Sequence, residues 1–97
     1  MNLREQQYVC AIAKTGSLTA AAKILRTSQP NLSLFLSNLE HSLNVQLFDR
    51  IGKQFRLTYA GELYVAKAQA MLNLKDEFDA ELANISENAG GRLRMGF

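Results

Sequence analysis

A mainly α protein carrying one small β hairpin is what this 97-residue sequence predicts, and three observations carry the expectation. Two segments with one-sided apolar faces are joined by a turn of only a few residues around Arg26 and Thr27. Around Gly52 the apolar period drops to two. After Gly61 neither glycine nor proline interrupts a long run that bears a continuous apolar stripe. The length leaves room for one compact domain and an extended appendage, which excludes a two-domain enzyme. An apolar fraction of 47% with 21% charged residues excludes wholesale disorder.

The first helix is expected over Leu3 to Lys14, with Val9, Ile12 and Ala13 inward, Tyr8 beside them and Gly16 as its stop. Ser17 then offers a hydroxyl to the free amides of a second helix whose Leu18, Ala21, Ala22 and Leu25 recur at i, i+3, i+4 and i+7. Ser28 is the next N-cap, and Pro30 falls in a first turn, where its missing donor costs little. The third helix, Gln29 to Leu43, turns Leu32, Leu36, Leu39 and Leu43 inward, with Phe35 at the edge of that stripe. Pro30, Ser33, Leu34, Ser37 and His41 form its other face. Two capped helices with so short a joint pack at a steep angle as a helix-turn-helix.

From Leu47 to Thr58, Phe55 and Leu57 alternate with Gln54 and Arg56, and Gly52 bends the chain into a hairpin. Such a hairpin is marginal alone, so Leu47, Phe48 and Leu57 must lean on the helices. Arg50, Lys53 and Arg56 make it a basic wing. Thr58 caps a fourth helix running to about Ile85, roughly 40 Å at 1.5 Å per residue, too long for a small domain to cover. Its stripe of Tyr64, Ala68, Met71, Leu74, Phe78, Leu82 and Ile85 calls for another helix, and the parent domain accounts for two turns of it at best. Asn88-Ala89-Gly90-Gly91 ends the helix as a joint, and the alternating Arg92 to Phe97 reads as the first strand of a further domain.

The net charge of +2 conceals an asymmetry. Through Gly61 there are seven basic residues against three acidic ones, and from Glu62 onward four against six. Only the first part is suited to a polyanion. Cys10 is the single cysteine and His41 the single histidine, which excludes a disulfide framework and gives no metal-ligand spacing. Cys10 is read as a packing residue and His41 as solvated. No glycine-rich phosphate loop and no pair of carboxylates points to catalysis, so an enzyme is not expected. The start lacks a signal-peptide apolar run and no stretch approaches a membrane span, so a cytoplasmic setting without membrane contact is expected.

Taken together, Gly16-Ser17-Leu18-Thr19-Ala20-Ala21-Ala22, Leu25, Ser28-Gln29-Pro30-Asn31-Leu32-Ser33, Leu39-Glu40, Leu47-Phe48-Asp49-Arg50 and Leu57-Thr58-Tyr59-Ala60-Gly61-Glu62 closely resemble the DNA-binding domain of LysR-type transcriptional regulators. The resemblance implies a winged helix-turn-helix over residues 1–58 and a linker helix over 59–87 that pairs antiparallel with a second subunit. Residues 88–97 would then be a hinge and the start of an effector-binding domain. It further implies double-stranded DNA as partner, a homodimer through the linker helix, and higher oligomers open to the full-length protein. No cofactor is expected in these residues, and a small-molecule effector is implied for the further domain. Two departures stand out: Leu34 occupies a place that is often basic in the family, and Asn44 replaces the glycine that usually closes the third helix.

On this reading Gln29, Pro30, Asn31, Ser33, Leu34 and Ser37 face base edges. Gln29 is suited to bidentate pairing with adenine, and Pro30 and Leu34 to thymine methyl groups. Arg26, Arg50, Lys53 and Arg56 are the phosphate contacts, with Ser17, Thr19, Thr27 and Ser28 as hydroxyls that either cap or touch the backbone. An ion pair of Arg50 with Glu40 or Asp49 is the alternative for that arginine. The competing function is a helical interaction module in which the acidic helix makes the contacts and the helix-turn-helix is scaffold.

Overall fold

The computed structural model describes residues 3–89, with only the helical backbone of 87–89. Helix α1 spans Arg4–Thr15, α2 Leu18–Leu25, α3 Gln29–Leu43 and α4 Tyr59–Ala89, and strands β1 (Phe48–Ile51) and β2 (Gln54–Leu57) form one antiparallel hairpin between α3 and α4. Gly90 to Phe97, where the joint and the strand of a further domain were expected, lie outside the described residues.

Each boundary of the helical trio has a local cause. Helix α1 stops at Gly16, whose φ of 70° turns the chain while its amide donates to the Ile12 carbonyl. The Ser17 hydroxyl accepts from the Ala20 amide at 3.2 Å and starts α2, and Ser28 does the same for α3 through the Asn31 amide at 3.2 Å. Thr15 braces the first turn, its hydroxyl within hydrogen-bond distance of the Ala11 and Ser17 carbonyls. Asn44 closes α3 in the left-handed region at φ 59°, so the glycine it replaces is not needed. Arg26 closes α2 the same way at φ 58°, a conformation that costs a non-glycine residue about 1 kcal/mol or more.

The core is the set the periodicity predicts: Val9 and Ile12 from α1, Leu18, Ala21 and Ala22 from α2, and Leu32, Leu36 and Leu39 from α3. Leu47 and Phe48 join them, and Leu57 packs half-buried alongside. Phe35 sits at the rim with its ring edge-on to Tyr8, centroids 4.9 Å apart. Leu43 departs from expectation. It is 43% exposed because the last turn of α3 has run past the core, and it lines a groove instead.

The hairpin pairs Phe48 with Leu57, Asp49 with Arg56, Arg50 with Phe55 and Ile51 with Gln54, leaving Gly52 and Lys53 as a two-residue turn. Gly52 takes φ 65° and Lys53 does not go positive, the pattern of a type II′ turn. Opposed residues share a face, so Phe48, Leu57, Arg50 and Phe55 face the core side and Asp49, Arg56, Ile51 and Gln54 face away. The Phe55 amide donates to the Gly16 carbonyl at 3.0 Å, which ties β2 to the α1–α2 turn.

Thr58 caps α4 as expected, its hydroxyl accepting from the Gly61 amide at 3.0 Å while donating to the Gln46 carbonyl at 2.6 Å. The helix continues four residues beyond the predicted end at Ile85, through Asn88 and Ala89, because neither residue breaks a helix and the first glycine is Gly90. Of its stripe, Ala68 is buried and Tyr64 half-buried against the domain, whereas Met71, Leu74, Phe78, Leu82 and Ile85 are exposed.

Candidate nucleic-acid interface

Helix α3 divides cleanly. Leu32, Leu36 and Leu39 hold it on the core, and at about 100° per residue Pro30, Leu34, Ser37 and His41 fall on the opposite side. Gln29, Pro30, Asn31, Leu34, Ser37 and Asn38 are all exposed and Ser33 is half-buried at the flank. Pro30, Leu34 and Ser37 thus share one outward surface, Gln29 and Asn31 are exposed beside it in the first turn, and no Lys, Arg, Asp or Glu lies among them. The surface begins at the α3 N-terminus, where free amides add partial positive charge.

The hydroxyls differ in availability. Ser17 is half-buried and Ser28 exposed, and both accept a capping amide hydrogen, so each keeps only its own proton for an outside acceptor. Thr19 is exposed on α2, and Thr27 is half-buried with its amide donating to the Ala22 carbonyl.

The cations do not form one cluster on the wing. Lys53 stands in the turn, Arg56 is on the outer face directly across from Asp49, and Arg50 is on the inner face with its guanidinium 5.0 Å from the Phe55 ring centroid. The alternative pairing of Arg50 with Glu40 or Asp49 does not form: among the described residues Arg50 makes no ion pair. The ring contact holds the guanidinium at the wing, and Arg50 stays exposed. Arg26 is exposed two residues before the cap of α3.

Glu40 has a different task, one the sequence reading missed. Its Oε2 accepts from the Leu47 amide at 2.7 Å and the Phe48 amide at 3.2 Å, fastening the end of α3 to the start of β1. An acidic residue ahead of an apolar strand start is the signal that was available, but the bond spans seven residues and depends on where α3 ends. Glu40→Ala is expected to lower the unfolding free energy by about 2–3 kcal/mol in urea titration, by stranding two half-buried amides. Glu40→Gln, which keeps an acceptor oxygen, should lose less than half as much.

Among the described residues the remaining polar groups form no second cluster. Burial pushes the half-buried Cys10 thiol up from its ordinary range. Among the described residues no group of His, Cys, Asp and Glu could hold a metal ion, and no helix is long and apolar enough to cross a membrane. The Tyr64 hydroxyl is buried without a hydrogen-bond partner among the described residues. Burial first and then the Glu5 charge push the Tyr64 hydroxyl up from its ordinary range.

Comparison with known proteins gives concordant results. The sequence model of the bacterial regulatory helix-turn-helix proteins of the lysR family matches residues 3–62. The chain is 35% identical over 95 residues to an "uncharacterized HTH-type transcriptional regulator in ibpB-leuC intergenic region" of Azotobacter vinelandii, covering 98% of this chain and 66% of that one. It is 37% identical over 97 residues to the HTH-type transcriptional regulator BsdA of Bacillus subtilis, covering 99% of this chain and 33% of that one. The chain therefore spans from a third to two thirds of the length of these relatives. Among solved structures, the BenM DNA-binding domain in complex with catB site 1 DNA superposes with a TM-score of 0.82 at 31% identity, covering 89% of this chain and 96% of that one.

Proposed function

Because the chain belongs to the lysR family of bacterial regulatory helix-turn-helix proteins, we propose that it reads a near-palindromic operator as a dimer, laying α3 in the major groove of each half-site. The observation that carries this reading is the outward surface of α3: an exposed run of carboxamide, hydroxyl and apolar groups on a helix anchored through its other side. Gln29, Pro30, Asn31, Ser33, Leu34 and Ser37 contact bases. Arg26, Arg50, Lys53 and Arg56 engage phosphates, joined by the hydroxyls of Ser17, Thr19, Thr27 and Ser28. A cytoplasmic transcription regulator of this design acts by binding rather than catalysis. Its small-molecule effector would bind a domain beyond these residues, where higher oligomers would also arise.

The dimer rests on α4. Leu74 and Phe78 are 64% and 52% exposed, and beside the root of the helix Leu43, Val45, Leu63 and Met71 line a groove of about 410 Å³. An exposed apolar face of this length is what another helix covers. Pairing α4 antiparallel with its copy would bring the acidic distal helix, with Asp76, Glu77 and Glu81, toward Lys67 of the groove.

Selection of bound duplexes from a random DNA pool tests the reading: two similar half-sites about one helical turn or a multiple of it apart are expected, and a pool that gains no preferred sequence contradicts it. For the dimer, Leu74→Glu with Phe78→Glu should shift sedimentation equilibrium from dimer to monomer while leaving the helical circular dichroism of the domain largely intact. Unchanged mass would place the seam elsewhere.

A further inference from the structure

Leu34 sits at the outermost part of α3, about 200° around the helix from Leu32, and is 61% exposed. Among the described residues of α3 the other exposed large apolar side chain is Leu43, which lines the groove at the far end. Leu34 has no place in the core, whose inward positions are filled by Leu32, Leu36 and Leu39. One turn earlier on the same side stands Pro30, also exposed, so the two form a short apolar ridge flanked by Ser33 and Ser37. A major groove presents one apolar group to such a ridge, the C5-methyl of thymine. No lysine or arginine lies between Arg26 and Arg50, so a guanidinium pair to guanine is not available from α3.

We infer that Leu34 is a specificity-determining residue that reads the C5-methyl of a pyrimidine in each half-site. The inference rests on the proposed seating of α3 in the major groove. The side chain recognises the methyl rather than the base edge, so 5-methylcytosine at that position serves as well as thymine in filling the contact. Binding of such an operator then responds to cytosine C5-methylation at one position per half-site.

The test uses the duplex recovered by selection from the random pool, assembled with thymine or uracil, and with cytosine or 5-methylcytosine, at each pyrimidine in turn. For the wild-type protein one position per half-site should show about fourfold tighter binding with thymine than with uracil, the worth of one buried methyl. Methylating cytosine at that position should strengthen binding by a similar factor. In Leu34→Ala both differences should shrink to none, while the salt dependence set by the phosphate contacts stays unchanged. Leu34→Arg should move the selected sequence toward guanine at the same position. Equal binding of thymine and uracil duplexes by the wild type, or a full methyl effect retained in Leu34→Ala, overturns the inference and leaves sequence reading by α3 standing. A pool with no preferred sequence sinks both.

Discussion

Replacing Arg50, Lys53 and Arg56 together by glutamine is expected to flatten the salt dependence of DNA binding while leaving the fold and the dimer in place. With Arg26, four cations per subunit and two subunits give about eight phosphate contacts and a slope of log K on log salt near −7. Removing three per subunit leaves a slope of about −2. Between 50 and 200 mM salt the wild type should then lose affinity by roughly 10⁴-fold and the variant by only about tenfold, with the variant much the weaker at low salt. The three side chains are exposed and make no ion pair among the described residues, so their charge is free to act on a polyanion. Their individual shares should differ. Lys53 in the turn and Arg50, held by its ring contact, should each carry close to a full contact, whereas Arg56 opposite Asp49 works against a neighbouring negative charge. Fluorescence anisotropy of a labelled duplex across a salt series supplies the slopes, and sedimentation confirms the dimer. An unchanged slope would instead favour the interaction-module reading, in which α4 makes the contacts.

The features legible in the sequence are those decided within a few residues. Ser17, Ser28 and Thr58 announce helix starts because a hydroxyl three residues ahead of a free amide is a local bond. Gly16 and Asn44 announce stops because they accept a left-handed φ. The leucines of α3 separate core from outer surface by period alone, and that separation exposes the base-facing candidates together. What the sequence left hidden depends on contacts between elements. Arg50, Lys53 and Arg56 read as one basic wing, yet the two-residue turn at Gly52 and Lys53 sets a register that sends Arg50 inward and Arg56 outward. Glu40 read as a possible partner for Arg50, and it binds backbone amides because α3 ends with that carboxylate over the start of β1. Leu43 continues the period of its stripe but outruns the core. Periodicity gives direction around a helix axis and not how far along it the neighbouring elements reach.

The strongest consequence of such a hidden contact falls on Gly61, which stands in the first turn of α4 and is followed by no other glycine until Gly90. Gly61→Ala is expected to destabilise the domain by about 3 kcal/mol, lowering its melting temperature by roughly 15 °C. A β-carbon built at Gly61 would land on the Leu47 carbonyl oxygen and come within 2.9 Å of the Leu47 carbonyl carbon and of Leu57 Cδ2. Two of these atoms are backbone, so a rotamer change cannot clear them. The Leu47 carbonyl also accepts the Thr58 amide at 3.0 Å, in the same junction where Thr58 holds the Gln46 carbonyl and caps α4. Making room must therefore move α4 away from the start of the wing or twist the carbonyl off the Thr58 amide, and either opens the joint between the wing and α4. Working against this is the better helix propensity of alanine, about 1 kcal/mol, so an unobstructed helical glycine would be stabilised by the change. The sign of the shift in thermal and urea unfolding thus decides the matter, since a gain in stability would mean that α4 does not approach Leu47 so closely. Because the same joint sets the angle between the DNA-facing domain and the exposed stripe of α4, Gly61→Ala should also weaken operator binding at temperatures where the variant remains folded.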